Sequence, residues 1–238
     1  KYGAQGVEAF ITEVDSNHTD ALNLFKNACG FRACTRSHVY KYTLPVDLPK
    51  SIDIPNFVPV TSGDKEKIQN LYLECLKSPV KVSLNKTKSD FCFGFYSKMV
   101  ENFRGLNSKR WVMIDPKGDQ ALAFANISTQ DESVFHIDIF TSLAYTEYYG
   151  DILNHLIRYA GLKNKNSTLI ISVNEGIQGY DKYLEVLKER DMESLGTVYI
   201  LVKDYWQPLK EANPLKASPI IIVPEGTSTA YNQFQVQK

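Results

Sequence analysis

One strand–helix–strand unit occurs twice in this 238-residue chain, and the repeat limits the fold more than any other feature. The first copy, residues 7–44, reads VEAFITEVDSNHTDALNLFKNACGFRACTRSHVYKYTL, and the second, residues 168–203, reads TLIISVNEGIQGYDKYLEVLKERDMESLGTVYILVK. Matching positions keep a nearly constant offset: Val14 to Val173 is 159, Phe31 to Met192 is 161 and Tyr40 to Tyr199 is 159. Such a period predicts two modules of similar build. The second copy follows a long stretch of helices and strands, whereas the first has little before it. The expectation is a first module that is truncated or whose opening half lies outside this chain.

In the first unit Val7, Ala9 and Ile11 alternate with Phe10 and Val14, which predicts a strand apolar on both faces and central in its sheet. Ala21, Leu24, Phe25 and Ala28 then recur at helical spacing, and Gly30 stands where a C-terminal cap belongs. From Pro45 to Pro59 the segment PVDLPKSIDIPNFVP loses backbone donors at four prolines and favours extended conformations, so 45–56 is read as a linker. Asp64 can cap a helix whose Ile68, Leu71, Tyr72 and Cys75 form one stripe, and Ser89 or Asp90 can cap another through about Phe103. Strands are expected at 110–115, 120–128 and 133–140, the first two joined by the turn DPKGD in an antiparallel meander. A helix over 147–160 burying Ile152, Leu153, Leu156 and Ile157 follows, and then strand 168–174, helix 180–190 and strand 195–203. Residues 207–238 read as an extended tail with one apolar burst, Ile220–Val223, suited to docking as an added strand on the protein itself or on a partner.

Lys+Arg and Asp+Glu balance at 27 each, so no global field favours nucleic acid or an anionic membrane. No apolar run reaches bilayer length and no leader pattern opens the chain. Cys29, Cys34, Cys75 and Cys92 form no CxxC pair and sit in mainly apolar surroundings, which predicts free thiols, a reducing compartment and no structural metal. The expectation is a cytoplasmic protein.

The order strand, two helices, three antiparallel strands, helix, strand, helix, strand resembles that of the GCN5-related N-acetyltransferase (GNAT) superfamily. NHTDALNLFKNACGFR is similar to the family's closing pattern, in which Asn precedes a helix containing Leu-Tyr and ending in Gly-Phe. Asn17, Ala21, Leu24, Phe25, Gly30 and Phe31 fill those places, with one extra residue between Phe25 and Gly30. The resemblance implies a mixed α/β acyl-CoA N-acyltransferase fold in tandem. Residues 1–44 would be the C-terminal part of a first module and 57–206 a second, degenerate domain. It also implies acetyl-CoA, or another acyl-CoA, as co-substrate, a small-molecule or protein amine as acceptor, and a possible homodimer. Asn17 falls at a cofactor-contact position.

In the family a glycine-rich loop before the helix that follows the fourth strand grips the coenzyme A pyrophosphate, because glycines permit close approach and a helix N-terminus favours phosphate. The matching stretch is TSLAYTEYYGDILNHL, with Gly150 as the last glycine, Tyr148 and Thr146 where glycines would stand and Tyr145 in place of a basic residue. Glu147 and Asp151 add negative charge. The second module is therefore expected to bind coenzyme A poorly.

The family's proton-donating tyrosine is replaced by Phe25 in the first unit and Leu187 in the second, so any general acid must come from elsewhere. His136 and Asp138 in VFHIDIF share one strand face, so a histidine base oriented by a carboxylate and a plain solvated face both explain them. Glu8 and Glu13 lie on opposite faces of a strand and read as structural. His18 and His155 read as surface residues, while Tyr145, Tyr148, Tyr149, Tyr180 and Tyr183 suit a ligand cleft or an interface. Two functions remain open: acyl transfer to an amine, or a noncatalytic binding or scaffold module that has kept the fold.

Overall fold

A computed structural model of the chain describes residues 9–44, 47–84, 86, 91, 101 and 104–204. In chain order the elements are β1 (Ala9–Asp15), α1 (Thr19–Asn23, continued by a π-helical turn over Leu24–Ala28), β2 (Arg32–Thr43) and β3 (Phe57–Pro59). Next come α2 (Lys65–Cys75), α3 (Ser78–Lys81), β4 (Asn107–Ile114), β5 (Ala121–Thr129) and β6 (Val134–Thr141). The chain continues with α4 (Tyr149–Lys163), β7 (Thr168–Asn174), α5 (Tyr180–Lys188) and β8 (Glu193–Asp204). All eight strands join one sheet in the order β1-β8-β2-β7-β6-β5-β4-β3. Every pairing is antiparallel except that of β6 with β7.

Each face of the sheet is covered by its own helices. On one face the stripe Ile68, Leu71, Tyr72 and Cys75 of α2 packs with Val80, Val112, Phe124 and Phe140. Thr61 and Asp64 start this helix with a reciprocal capping box. On the other face Tyr149, Ile152, Leu153, Leu156 and Ile157 of α4 and Tyr183 and Leu187 of α5 pack on Ile127, Phe135, Ile137, Leu169 and Ile171. Strand alternation sorts the residues: Phe135, Ile137 and Ile139 of β6 are buried while Val134, His136 and Asp138 are exposed. The proline-rich segment expected as a linker lies against α4. Ile54 joins this core, Leu48 leaves no room for a Cβ at Gly161, and Arg158 donates to the Pro49 carbonyl at 3.3 Å.

The two repeats interleave their strands, because β8 lies between β1 and β2 while β2 lies between β8 and β7. A local two-fold relation governs this exchange. Asn17 N–H donates to Asp15 Oδ1 at 2.8 Å, and 159 residues on Gly176 N–H donates to Asn174 Oδ1 at 2.6 Å, the same Asx turn in both copies. After the helix the offset becomes 161. Gly30 (φ 71°) and Asp191 (φ 50°) hold the left-handed position that ends each helix. Unpaired residues Cys34 and Leu195, also 161 apart, form the two bulges of the β2–β8 ladder, and Ser37 pairs with Val198 at its centre. His38, and not Tyr40, is therefore the counterpart of Tyr199. The steady offset of 159 at the tyrosines is a coincidence of two β-rich sequences.

The π-helical turn explains the extra residue after Phe25. Cys29 N–H reaches the Leu24 carbonyl five residues back at 3.0 Å, and this wider turn absorbs one residue before Gly30. Contrary to expectation, β1 is not central but ends the strand order, with Val14 its one buried residue and Ile11 53% exposed. Apolar residues on both faces make a strand central only when layers cover both faces, and Ile11 stays half-exposed at the rim of a cavity. Apart from Phe91 and Glu101, the helix expected from Ser89 or Asp90 to Phe103 lies outside the described residues, as do Cys92, Glu8 and the tail 207–238. No helix among the described residues is long and apolar enough to cross a membrane.

Candidate functional site

The parallel pair β6–β7 is bonded only from Val134–Ile137 to Thr168–Ile171. Beyond Ile137 and Ile171 the two strands continue against β5 and β2 but not against each other, leaving a splay lined by unladdered backbone edges. Ile139, Ser172, Val173 and Asn174 border this gap, and Tyr149, Tyr180 and Tyr183 close it from the α4–α5 face around a space of about 10 Å³. That volume is close to the size of one water molecule.

On the α2 face the same gap meets a cavity of about 480 Å³, for Ile139, Ser172, Asn174 and Ile177 border both spaces. Phe124, Asn126, Asp138 and Phe140 form part of its floor, and Tyr72, Leu84 and Phe91 its roof. Glu13, Ser37 and Ile200 extend it across the interleaved strands of both repeats. Glu13, expected as structural, thus faces the cavity; its counterpart 159 residues on is Ser172, which also lines it.

His136 and Asp138 project on this exposed face of β6, as their two-residue spacing requires. Asp138 borders the cavity and accepts from Asn126 Nδ2 at 3.2 Å, whereas His136 stands opposite Ser128 one pair further from the splay. Asn126 Oδ1 is buried without a partner. Asn17 sits in the exposed turn between β1 and α1.

Three buried groups, of which Tyr183 borders the splay, carry no hydrogen-bonding signature in the sequence. Tyr183 is 2% exposed with an unpartnered hydroxyl, and Thr141 is fully buried with an unpartnered Oγ1. Tyr183 stacks on Tyr149 with ring centroids 4.5 Å apart at 6°, and burial, then the neighbouring Tyr149 and Asp138, push its hydroxyl well above 10 against an opposing pull from Arg190. It stays protonated and can only be a donor or a neutral acceptor. Cys75 donates its Sγ–H to the Thr141 carbonyl at 3.0 Å, and burial pushes this thiol up to about 12, which removes it as a nucleophile at neutral pH. Tyr183 lies four residues before Leu187, one helical turn from the position the family pattern points to. Helical spacing alone could have flagged it.

The start of α4 is built differently from a phosphate cradle. A 3₁₀ turn over Leu143–Tyr148 delivers the chain into α4, and Tyr145 and Tyr148 stack at 6.3 Å across it. Gly150 lies in the first helical turn, and its carbonyl accepts from Arg190 Nη2 at 3.1 Å. Arg190 is committed further to Asn154 Oδ1 and the Val186 carbonyl. Between Leu143 and Ile152 no cation occurs in the sequence, while Glu147 and Asp151 do. These residues do not fit the pyrophosphate of coenzyme A.

His155, expected at the surface, is ringed by aromatic edges: Phe57 at 5.3 Å and Trp111 at 5.0 Å, with Tyr159 5.2 Å from Trp111. Burial lowers its basicity. This polar helix position is half-buried because β3 and β4 bring Phe57 and Trp111 over it.

Neither a family model nor a curated protein matches the sequence. Solved structures do match in shape. A GCN5-related N-acetyltransferase from Sphaerobacter thermophilus superposes with a TM-score of 0.51 at 11% identity, over 82% of this chain and 59% of that one. A putative acetyltransferase from Pyrococcus horikoshii gives 0.50 at 10% identity, over 86% and 56%. A conserved protein from Enterococcus faecalis V583, described as a probable N-acyltransferase, gives 0.50 at 13% identity, over 85% and 46%. The chain thus spans about half to three-fifths of the length of these proteins. With one mixed sheet, a splayed parallel pair and helices on both faces, the chain has the fold of the GCN5-related N-acetyltransferases.

Proposed function

We propose that this chain supplies the acceptor cleft of an acyl-CoA-dependent N-acyltransferase, its second repeat shaping the cleft without gripping the nucleotide end of the donor. The observation that carries this reading is the 480 Å³ cavity that meets the β6–β7 splay and is lined from both repeats. A cleft with apolar walls and a few convergent polar groups is the usual form of a small-molecule site. Asp138 and His136 would hold and deprotonate an amine on the open face, since only a neutral amine attacks a carbonyl. Tyr183 would offer a hydrogen bond from within the splay, where low dielectric strengthens it.

The start of α4 favours a second reading, a binding module that has kept the fold and lost the donor site. Calorimetric titration with acetyl-CoA separates the two. The first reading predicts heat of binding in the whole protein and none at millimolar donor in a chain limited to the second repeat's module. No heat and no thermal stabilisation in the whole protein would remove the acyl-transfer reading for that donor. Micromolar binding by the module alone would show that Tyr148 and Gly150 do not prevent donor binding.

A further inference from the structure

On the sheet face opposite the large cavity, a hydroxyl, an imidazole and a carboxylate stand within hydrogen-bond reach of one another. His38 of β2 and Thr197 of β8 are partners in the ladder, and Thr197 Oγ1 approaches His38 Nδ1 at 3.2 Å. The other ring nitrogen, Nε2, lies 2.8 Å from Oε1 of Glu175, the residue after β7. Alternation sets the face, because Ser37 and Ile200 line the cavity while their neighbours His38 and Tyr199 project to the other side. Lys26 of the turn after α1 lies 4.8 Å over Tyr199 and Tyr180 of α5 stands 5.8 Å from His38, so the three groups sit between the helices of the two repeats.

The repeat does not by itself produce this arrangement. The two-fold relation that exchanges Ser37 and Val198 also exchanges His38 with Tyr199, Thr197 with Arg36 and Glu175 with Ser16. The backbone is alike at both places, since Glu175 N–H donates to the Arg36 carbonyl and Ser16 N–H to the Thr197 carbonyl, each at 2.9 Å. The side chains differ, and tyrosine, arginine and serine cannot pass a proton from a hydroxyl to an imidazole. A neutral imidazole has one N–H; given from Nε2 to Glu175, it leaves Nδ1 as acceptor for the Thr197 hydroxyl. Glu175 is held in turn by Arg36 Nε at 2.9 Å. The His38 and Glu175 side chains are each about a quarter exposed, 25% and 26%, which leaves them open to a small molecule. Nucleophile, base and orienting group in this order are the parts of an activated hydroxyl.

We infer that Thr197 is a nucleophile that takes the acyl group of a small activated ester, with His38 as its base and Glu175 as the positioning residue. As Thr197 Oγ1 bonds to the ester carbonyl carbon, His38 Nδ1 takes the hydroxyl proton and the carbonyl electron pair moves onto oxygen, beside the half-exposed Arg36 guanidinium. Return of that pair breaks the bond to the leaving oxygen, which departs with the bonding electrons and recovers the proton from His38. Water activated by the same base then cleaves the Thr197 ester, releasing the carboxylic acid and restoring the hydroxyl. The activity lies on the other face of the sheet from the amine cleft and needs no acyl-CoA.

The test is incubation of the protein with p-nitrophenyl acetate, reading p-nitrophenolate release and locating the acetyl group by mass spectrometry of peptides. The acetyl group is expected on Thr197. Thr197→Val, which keeps the shape and removes the hydroxyl, should lose it, and Thr197→Ser should retain it. His38→Gln should slow labelling about a hundredfold and Glu175→Gln about tenfold. Melting curves of the same variants separate chemistry from folding, since a purely structural cluster would shift the melting temperature and leave no label to lose. A folded parent protein without acetyl on Thr197, acetyl on lysines alone, or a folded His38→Gln labelled on Thr197 as fast as the parent overturns the inference.

Discussion

The two repeats share a backbone design and differ in what surrounds it. Asx turn, left-handed helix end, bulge and ladder centre recur at offsets of 159 and 161, so the strand exchange is nearly symmetric. The helices are not equivalent. In the second repeat α5 packs beside α4 and buries Tyr183 and Leu187, whereas α1 with its π-helical turn buries no residue. Identical local geometry therefore does not imply identical stability, because a helix gains most of its stability from what its apolar stripe touches.

The sharpest way to break this comparison is to cut the matching apolar side chains. Leu187→Ala removes a fully buried side chain and is expected to cost about 3 kcal/mol, whereas Phe25→Ala, on a helix with no buried residue, is expected to cost about 1 kcal/mol. Urea unfolding midpoints measure both, and equal losses would show that the first helix is as well packed as the second.

A second test addresses the seam between the repeats. Glu175 accepts from Arg36 Nε at 2.9 Å and lies 2.8 Å from His38 Nε2, while Thr197 Oγ1 approaches His38 Nδ1 at 3.2 Å. Burial pushes the Glu175 carboxyl up, but His38 and Arg36 outweigh it and hold the group below its usual 4.5. Its contribution is complete above the unfolded value of 4.5 and is lost as pH falls through the lower folded value. Glu175→Gln is expected to cost about 1 kcal/mol at neutral pH and to flatten the stability–pH curve below 4.5. An unaltered acid limb in thermal melts would mean that this cluster does not hold the repeats together.

His155 gives a related effect on the opposite face. Its folded basicity is lowered by burial, so its contribution is complete above 6.5 and declines as pH falls from there towards the folded value. His155→Phe should remove the slope of melting temperature just below 6.5 while keeping the aromatic packing, and a slope that persists would assign it to another group.

The smallest effect is expected at the helix ends, where Asp191 holds a left-handed conformation that glycine adopts freely in the first repeat. Asp191→Gly should stabilise by less than about 1 kcal/mol, and Gly30→Asp should do the opposite by a similar amount. Equal and opposite shifts in unfolding midpoint would show that the two ends are interchangeable. Loss in both variants would show that Asp191 makes a contact beyond its backbone role.

Much of the architecture was legible because it is periodic. The stripe Ile68, Leu71, Tyr72, Cys75 and the alternation in VFHIDIF both follow from local geometry, and the structure keeps them. Strand order was not legible. Apolar residues on both faces of β1 suggested a central strand, yet a strand's neighbours are chosen by the whole sheet, and β1 ends it. The site was legible only in part. His136 and Asp138 share their face as spacing requires, but Asn126, Glu13 and Tyr183 come to the same splay and cavity from β5, β1 and α5, elements far apart in sequence.

By itself the sequence determined the elements, their repetition and the missing cations at the start of α4, because propensity, periodicity and charge are properties of neighbouring residues. Only the tertiary structure decided that the repeats would interleave, that β6 and β7 would part beyond Ile137 and Ile171, and that Glu13 of β1 and Asp138 of β6 would face one cavity. Those outcomes depend on strand pairing and packing between distant segments, whose energies no short stretch of sequence contains.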